Sequence, residues 1–233
     1  MYSKHFILAL PLLLASVSAL PMITARCDDA APAAAEVVTP EAVVSEQSRA
    51  TASSSSILKA VLSAAPGAAS CAGAPFPDEC RTADQAAPHI SNAFSKYGIT
   101  TPAEQAALIA LMLYESGEFK YNKNHFPGVP GQGTRNMQSP TFNSKYATDL
   151  FGAQAVTQAG SPTAVLNLVL GDAESFASAA WFVTTQCSAT FRQGLQAGTQ
   201  QGWESYLTNC IGTTVNADRN AYWTKTVAAL ASA

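Results

Sequence analysis

The sequence predicts a mainly α protein of α+β type, with a central buried helix and a small irregular or β-containing lobe beside a cleft. Three observations carry this. Residues 106–114 contain no polar side chain, and a helix apolar on every side belongs in a core rather than at a surface. After it, residues 119–146 alternate aromatics with Lys, Asn and His and carry Gly128, Gly131 and Gly133. Elsewhere helix start and stop signals recur and strand signals are poor, with room for one small hairpin at 119–130.

The elements follow in chain order. Lys4, an apolar run over 6–17 and the small-residue site Val17-Ser18-Ala19 read as a signal peptide over residues 1–19, so the chain is expected to be secreted and extracellular. No later run is long and apolar enough for a membrane span. Residues 20–70 are rich in Ala, Pro, Ser, Val and Glu and lack aromatics, a composition expected of a disordered linker or pro-segment. Residues 71–233 then form one domain.

Within it, Thr82 with Gln85 makes a capping box for a helix to Tyr97, with Gly98 as its stop. Thr101, Pro102 and Glu104 start the central helix with a second box. Further helices are predicted over 140–151, from Ser161 to Leu170, from Asp172 to Cys187, over 202–209 and from Asn216 or Asp218 onward.

Glu115 ends the central helix. The negative end of the helix dipole and the adjoining apolar packing both disfavour its ionised form, so its pKa should rise, as a general acid requires. The loop after it reads as one wall of a cleft. Aromatic faces there stack on sugar rings, and glycines let the backbone approach a ligand.

Five cysteines fit an oxidising compartment. Cys27 falls in the linker, and short loop closure pairs Cys71 with Cys80 and Cys187 with Cys210 among the three possible connectivities. The cysteine spacing lacks a zinc pattern and His5, His89 and His125 are scattered, so no metal and no cofactor is expected. The domain balances nine Lys or Arg against eleven Asp or Glu, without the basic stripe that nucleic acid requires. Locally, 117–147 holds four cations against Glu118 alone, which would suit an anionic polymer.

The motifs around Glu115 carry a family resemblance. Glu115-Ser116, the aromatic at 119, the Gly-rich passage and Met137-Gln138-Ser139-Pro140 resemble the Glu-Ser and Gly-Leu-Met-Gln signatures of soluble lytic transglycosylases and goose-type lysozymes. Asp218-Arg219-Asn220-Ala221-Tyr222-Trp223 resembles the family's closing helix. The chain departs from the second signature, with Arg135-Asn136 in place of Gly-Leu.

The resemblance implies a monomeric, lysozyme-like enzyme that cleaves the β-1,4 bonds of a polysaccharide, peptidoglycan or a chitin-like polymer, with Glu115 as acid and then base. It also leaves open a carbohydrate-binding or effector protein without turnover. Ser116, Tyr121, Arg135, Met137, Gln138 and Tyr146 are the expected substrate contacts, with Tyr121 and Tyr146 exposed. Glu118 and Asp149 are the candidates for a second carboxylate. If neither reaches the substrate, the family's route through the substrate's own hydroxyl, giving a 1,6-anhydro end, is expected.

Overall fold

The computed structural model describes residues 54–232, which are mainly helical. Helix α1 covers 54–64, followed by a 3-10 turn Pro66–Ala69, then α2 Ala83–Tyr97, α3 Pro102–Glu115, α4 Pro140–Phe151, α5 Ala153–Ala159 and α6 Pro162–Leu168. The chain continues through α7 Asp172–Thr185, α8 Ala189–Gln196 and α9 Gln200–Ser205, runs on into a π-helical turn Tyr206–Ile211, and ends in α10 Ala217–Ala231. Helix α3 is the axis, and every residue from 106 to 113 is buried. Helix α10 packs along it, α7 and α8 flank it, and α2 covers α7. A second cluster of Tyr146, Val165, Leu166, Trp181 and Phe182 joins α4 and α6 to α7.

Local chemistry accounts for many boundaries. Both arms of the Thr82–Gln85 box are formed, and Gly98 takes the left-handed conformation, φ 62°, that stops α2. Thr101 accepts from the Glu104 amide, but the box is only half made. The Glu104 carboxylate, fully buried, instead receives Nε of Arg192 at 2.6 Å and Nε2 of Gln196 at 3.2 Å. Side-chain caps from Ser161 and Asn216 open α6 and α10. The predicted stop at Gly152 holds for α4, but Gly152 also leads directly into α5.

The structure moves the expected domain boundary. Within the segment read as linker, Ile57, Ala60, Val61, Ala64, Ala65 and Ala68 are buried in the main core, so the packed body includes 54–69. The predicted signal peptide, the rest of the 20–70 segment, His5 and Cys27 lie outside the described residues. The lobe after α3 is irregular. The expected hairpin is reduced, among the described residues, to two isolated bridges, Lys123 with Gly133 and Gly133 with Gln138. Gly133 is required there, because a Cβ would lie 2.5 Å from the Asn122 carbonyl oxygen. It lets the backbone approach the protein's own chain rather than a ligand. Disulfides join Cys71 to Cys80 and Cys187 to Cys210. No described helix is long and apolar enough to cross a membrane.

Candidate functional site

Glu115 is placed by the way α3 stops. Gly117, Glu118 and Phe119 take φ of 56°, 59° and 67°, three successive left-handed residues of which only the first is glycine. The strain is held by hydrogen bonds: the Glu118 amide donates to the Leu113 carbonyl at 2.8 Å, and the Tyr121 amide to that of Ser116 at 3.0 Å. Ser116, expected to touch substrate, is fully buried. Its hydroxyl donates to the Met112 carbonyl at 2.6 Å and accepts from the Phe119 amide at 3.0 Å, so it braces this turn.

The turn leaves the Glu115 carboxyl facing α10. Arg219 Nη1 donates to Glu115 Oε1 at 2.6 Å, its Nη2 donates to Thr213 Oγ1 at 3.0 Å, and its guanidinium lies 3.9 Å from the centre of the Tyr114 ring. Asn216, the cap of α10, donates to the Tyr114 hydroxyl at 2.9 Å. Burial pushes the Glu115 carboxyl above its usual range, and the charge and hydrogen bond of Arg219 only partly reverse this. The predicted direction is therefore found, with a cationic partner that lies 104 residues away and that no local signal announces.

Two cavities meet at Glu115 and Met137. One, about 250 Å³, adds Gln132, Asn136, Gln138, Ser139, Phe142, Phe182, Ile211 and Thr213. The other, about 420 Å³, adds Tyr114, Tyr121 and Lys123 and opens outward past Phe76, Asn124, His125 and Phe126. Of the predicted contacts, Tyr121, Met137 and Gln138 thus come together around Glu115. Gln138 donates to Asn143 Oδ1 at 2.8 Å, which fixes its side chain.

The other predicted contacts are elsewhere. Arg135 is fully buried and knits the lobe, donating from Nη1 to the carbonyls of Phe119 at 2.8 Å and Tyr121 at 2.7 Å and from Nη2 to that of Glu79 at 2.5 Å. Burial lowers its pKa to about 10, against the opposing pull of Asp172. Tyr146 is buried rather than exposed, and its hydroxyl donates to the Glu174 carbonyl at 2.8 Å. Glu118 lines neither cavity; it accepts from the Tyr222 hydroxyl at 2.9 Å and pairs with Lys120 at 3.5 Å. Asp149 accepts from Trp181 Nε1 at 2.8 Å and lines neither cavity. With Arg135 inside the lobe and Lys120 on Glu118, only Lys123 of the four local cations lines the cleft, and the basic surface expected for an anionic polymer is not formed. Arg219, Thr213, Ile211, Gln132 and Phe76 are among the site residues that sequence reasoning missed.

Comparison with known proteins does not support the lysozyme-like resemblance. No protein-family model and no solved structure matches the chain. A curated relative does: a bifunctional dioxygenase (DOX)-epoxy alcohol synthase (EAS) of Fusarium oxysporum (strain Fo5176), 38% identical over 152 residues. The match covers 61% of this chain and 12% of the relative, so the chain spans about an eighth of the relative's length. This overturns the assignment to transglycosylases and lysozymes, and with it the glycosidase activity, the peptidoglycan or chitin-like substrate, the carbohydrate-binding alternative and the anhydro route. Two of the residues that carried the resemblance are accounted for by internal structure: Ser116 and Gln138 each hold the fold. A dioxygenase needs a centre that activates oxygen. Among the described residues no group of three or more His, Cys, Asp or Glu is placed to hold a metal ion, the four described cysteines are paired, and His125 is bonded to Glu79. The other described histidine, His89, stacks on Phe176, so among the described residues these side chains do not assemble a multi-ligand metal site.

Proposed function

We propose that this chain is an acid–base enzyme that opens the ring of an epoxy alcohol, with Glu115 as the proton donor. The observation that carries the reading is the Glu115 carboxyl at the junction of two cavities, its pKa raised by burial while one oxygen is fixed by Arg219. The substrate class comes from the relative's name. The step is redox-neutral. Glu115 gives its proton to the ring oxygen as the C–O bond breaks, water adds to the released carbon, and the water's proton returns to the carboxylate. Gln132 and Thr213 supply hydrogen-bonding groups beside Glu115 for the neighbouring hydroxyl. The two disulfides support an oxidising, secretory setting.

Purified protein incubated with a synthetic epoxy alcohol should yield a triol, heavier by one water in mass spectrometry. An unchanged epoxide with folded protein would overturn the reading. A second reading, that the chain serves the oxidative activities named for the relative, is favoured by the same 38% match. Oxygen uptake by the chain in the same incubation would select it.

A further inference from the structure

We propose that Asn136 is the residue by which the site selects its substrate: its side-chain oxygen accepts a hydrogen bond from a substrate hydroxyl held beside the oxygen that Glu115 protonates. Naming that second oxygen as part of an epoxide rests on the proposed function, whereas the match between Asn136 and a donor group stands on geometry. Asn136 is 7% exposed and shares the cavity of about 250 Å³ with Glu115. Its Oδ1 is buried and has no partner in the protein. Burying an acceptor without a donor costs free energy, and a donor brought into the cavity by a ligand would recover it.

The neighbouring amides decide that the unpartnered atom is an oxygen and not a nitrogen. Asn143, fully buried, gives both hydrogens of Nδ2 to carbonyls, those of Gly131 at 2.8 Å and Gln138 at 3.1 Å, so its Oδ1 faces Gln138 as an acceptor. Gln138 donates to it from Nε2 at 2.8 Å, which leaves Gln138 Oε1 to accept from Asn136 Nδ2 at 3.4 Å. Turning the Asn136 amide over would set two oxygens against each other. The backbone keeps the side chain there. Asn136 sits in a turn between Thr134 and Met137, both left-handed at φ 68° and 46°, and the Arg135 amide donates to the carbonyl and hydroxyl of Ser175. An acceptor fixed in advance loses little entropy on binding. The donor it suits is neutral, because Arg219, bonded to both Glu115 and Thr213 in the lining, disfavours a cation.

The test uses unreactive ring ethers, titrated into the whole protein by calorimetry. Tetrahydrofurfuryl alcohol carries a hydroxyl next to a ring oxygen, and 2-methyltetrahydrofuran has the ring without it. The alcohol should bind about three- to tenfold more tightly, the usual difference for one neutral hydrogen bond, and Asn136→Ala should bring the two within about twofold. In the unaltered protein the side-chain amide signals of Asn136 should shift in NMR with the alcohol and stay in place with 2-methyltetrahydrofuran, a readout that holds even if Asn136→Ala does not fold. Equal affinity for the two ethers, no binding of either, an unaltered ratio in folded Asn136→Ala, or unmoved Asn136 signals would overturn the proposal. So would tighter binding of tetrahydrofurfurylamine, protonated at neutral pH, because the donor would then be an ammonium. A preference for the alcohol without triol formation from the epoxy alcohol supports Asn136 and removes the epoxide reading. Triol formation with no such preference removes the role of Asn136 alone.

Discussion

The two ends of α3 each hold a carboxylate paired with an arginine from a distant helix, and they differ in what surrounds the pair. At the first turn, Glu104 is fully buried, receives both Arg192 and Gln196, and sits where the helix dipole favours negative charge. At the last turn, Glu115 has one partner, faces two cavities, and lies where the dipole opposes its charge. The same chemical pair is thus a staple at one end and an acid at the other. Solvent access and the number of partners make the difference.

The contrast between the two ends is probed most directly at Glu115. Glu115→Gln should lower epoxide opening by about a hundredfold to ten thousandfold, the usual loss when a general acid is removed. Its melting temperature should stay near that of the unaltered protein, since the amide still accepts from Arg219. Turnover within a few fold of the unaltered rate would remove Glu115 from the mechanism.

Arg192→Ala should do the reverse. It leaves the buried Glu104 carboxylate with Gln196 alone, and loss of one member of such a pair costs about 3 to 5 kcal/mol. Denaturant unfolding should show that loss, with the catalytic pH profile unmoved. A shifted profile would mean that the two ends are coupled.

A smaller effect is expected from the Cys187–Cys210 bridge, which ties the end of α7 to the π-helical turn that delivers Ile211 and Thr213 to the site. Replacing both cysteines by serine should lower stability by about 2 to 4 kcal/mol, through release of the unfolded chain. It should also raise KM more than it lowers kcat, and steady-state kinetics beside thermal unfolding checks both.

The finest test is pH. The folded-state pKa of Glu115 lies above its unfolded value, so the folded state binds the proton more tightly. The stability from this group is complete below the unfolded value of 4.5 and is lost as pH rises through the folded value. Activity that depends on the protonated acid falls over the same alkaline limb. Arg219→Gln removes the two influences that lower this pKa and should move the limb to higher pH. A shift to lower pH would show that Arg219 does not act through Glu115.

Much of the helical frame was legible in the sequence. The capping residues Thr82, Thr101 and Asn216 act within three residues of themselves, and both disulfides close the shorter loops available. Helix α1 was not read from the sequence, because the Ala- and Ser-rich composition around it reads as linker. Its buried positions 57, 60, 61 and 64 nevertheless repeat at the three- and four-residue spacing of a buried helix face.

The site was not legible in the same way. Glu115 stood out because an apolar helix ends on it, but whether Glu118 or Asp149 joined it depended on backbone turns and on Tyr222 and Trp181, contributed by other helices. Arg135 reads as a ligand-binding cation in one dimension and is a buried clamp in three. Local sequence was enough for most of the helices, their caps and the acid at the end of the central one, because those depend on hydrogen bonds and apolar spacing within a few residues. It took the packed chain to set Arg219 against Glu115 and to turn the lobe's own arginine inward. Each of these is a contact between segments far apart in the chain, and the energy that selects it comes from burial and charge pairing that no local pattern encodes.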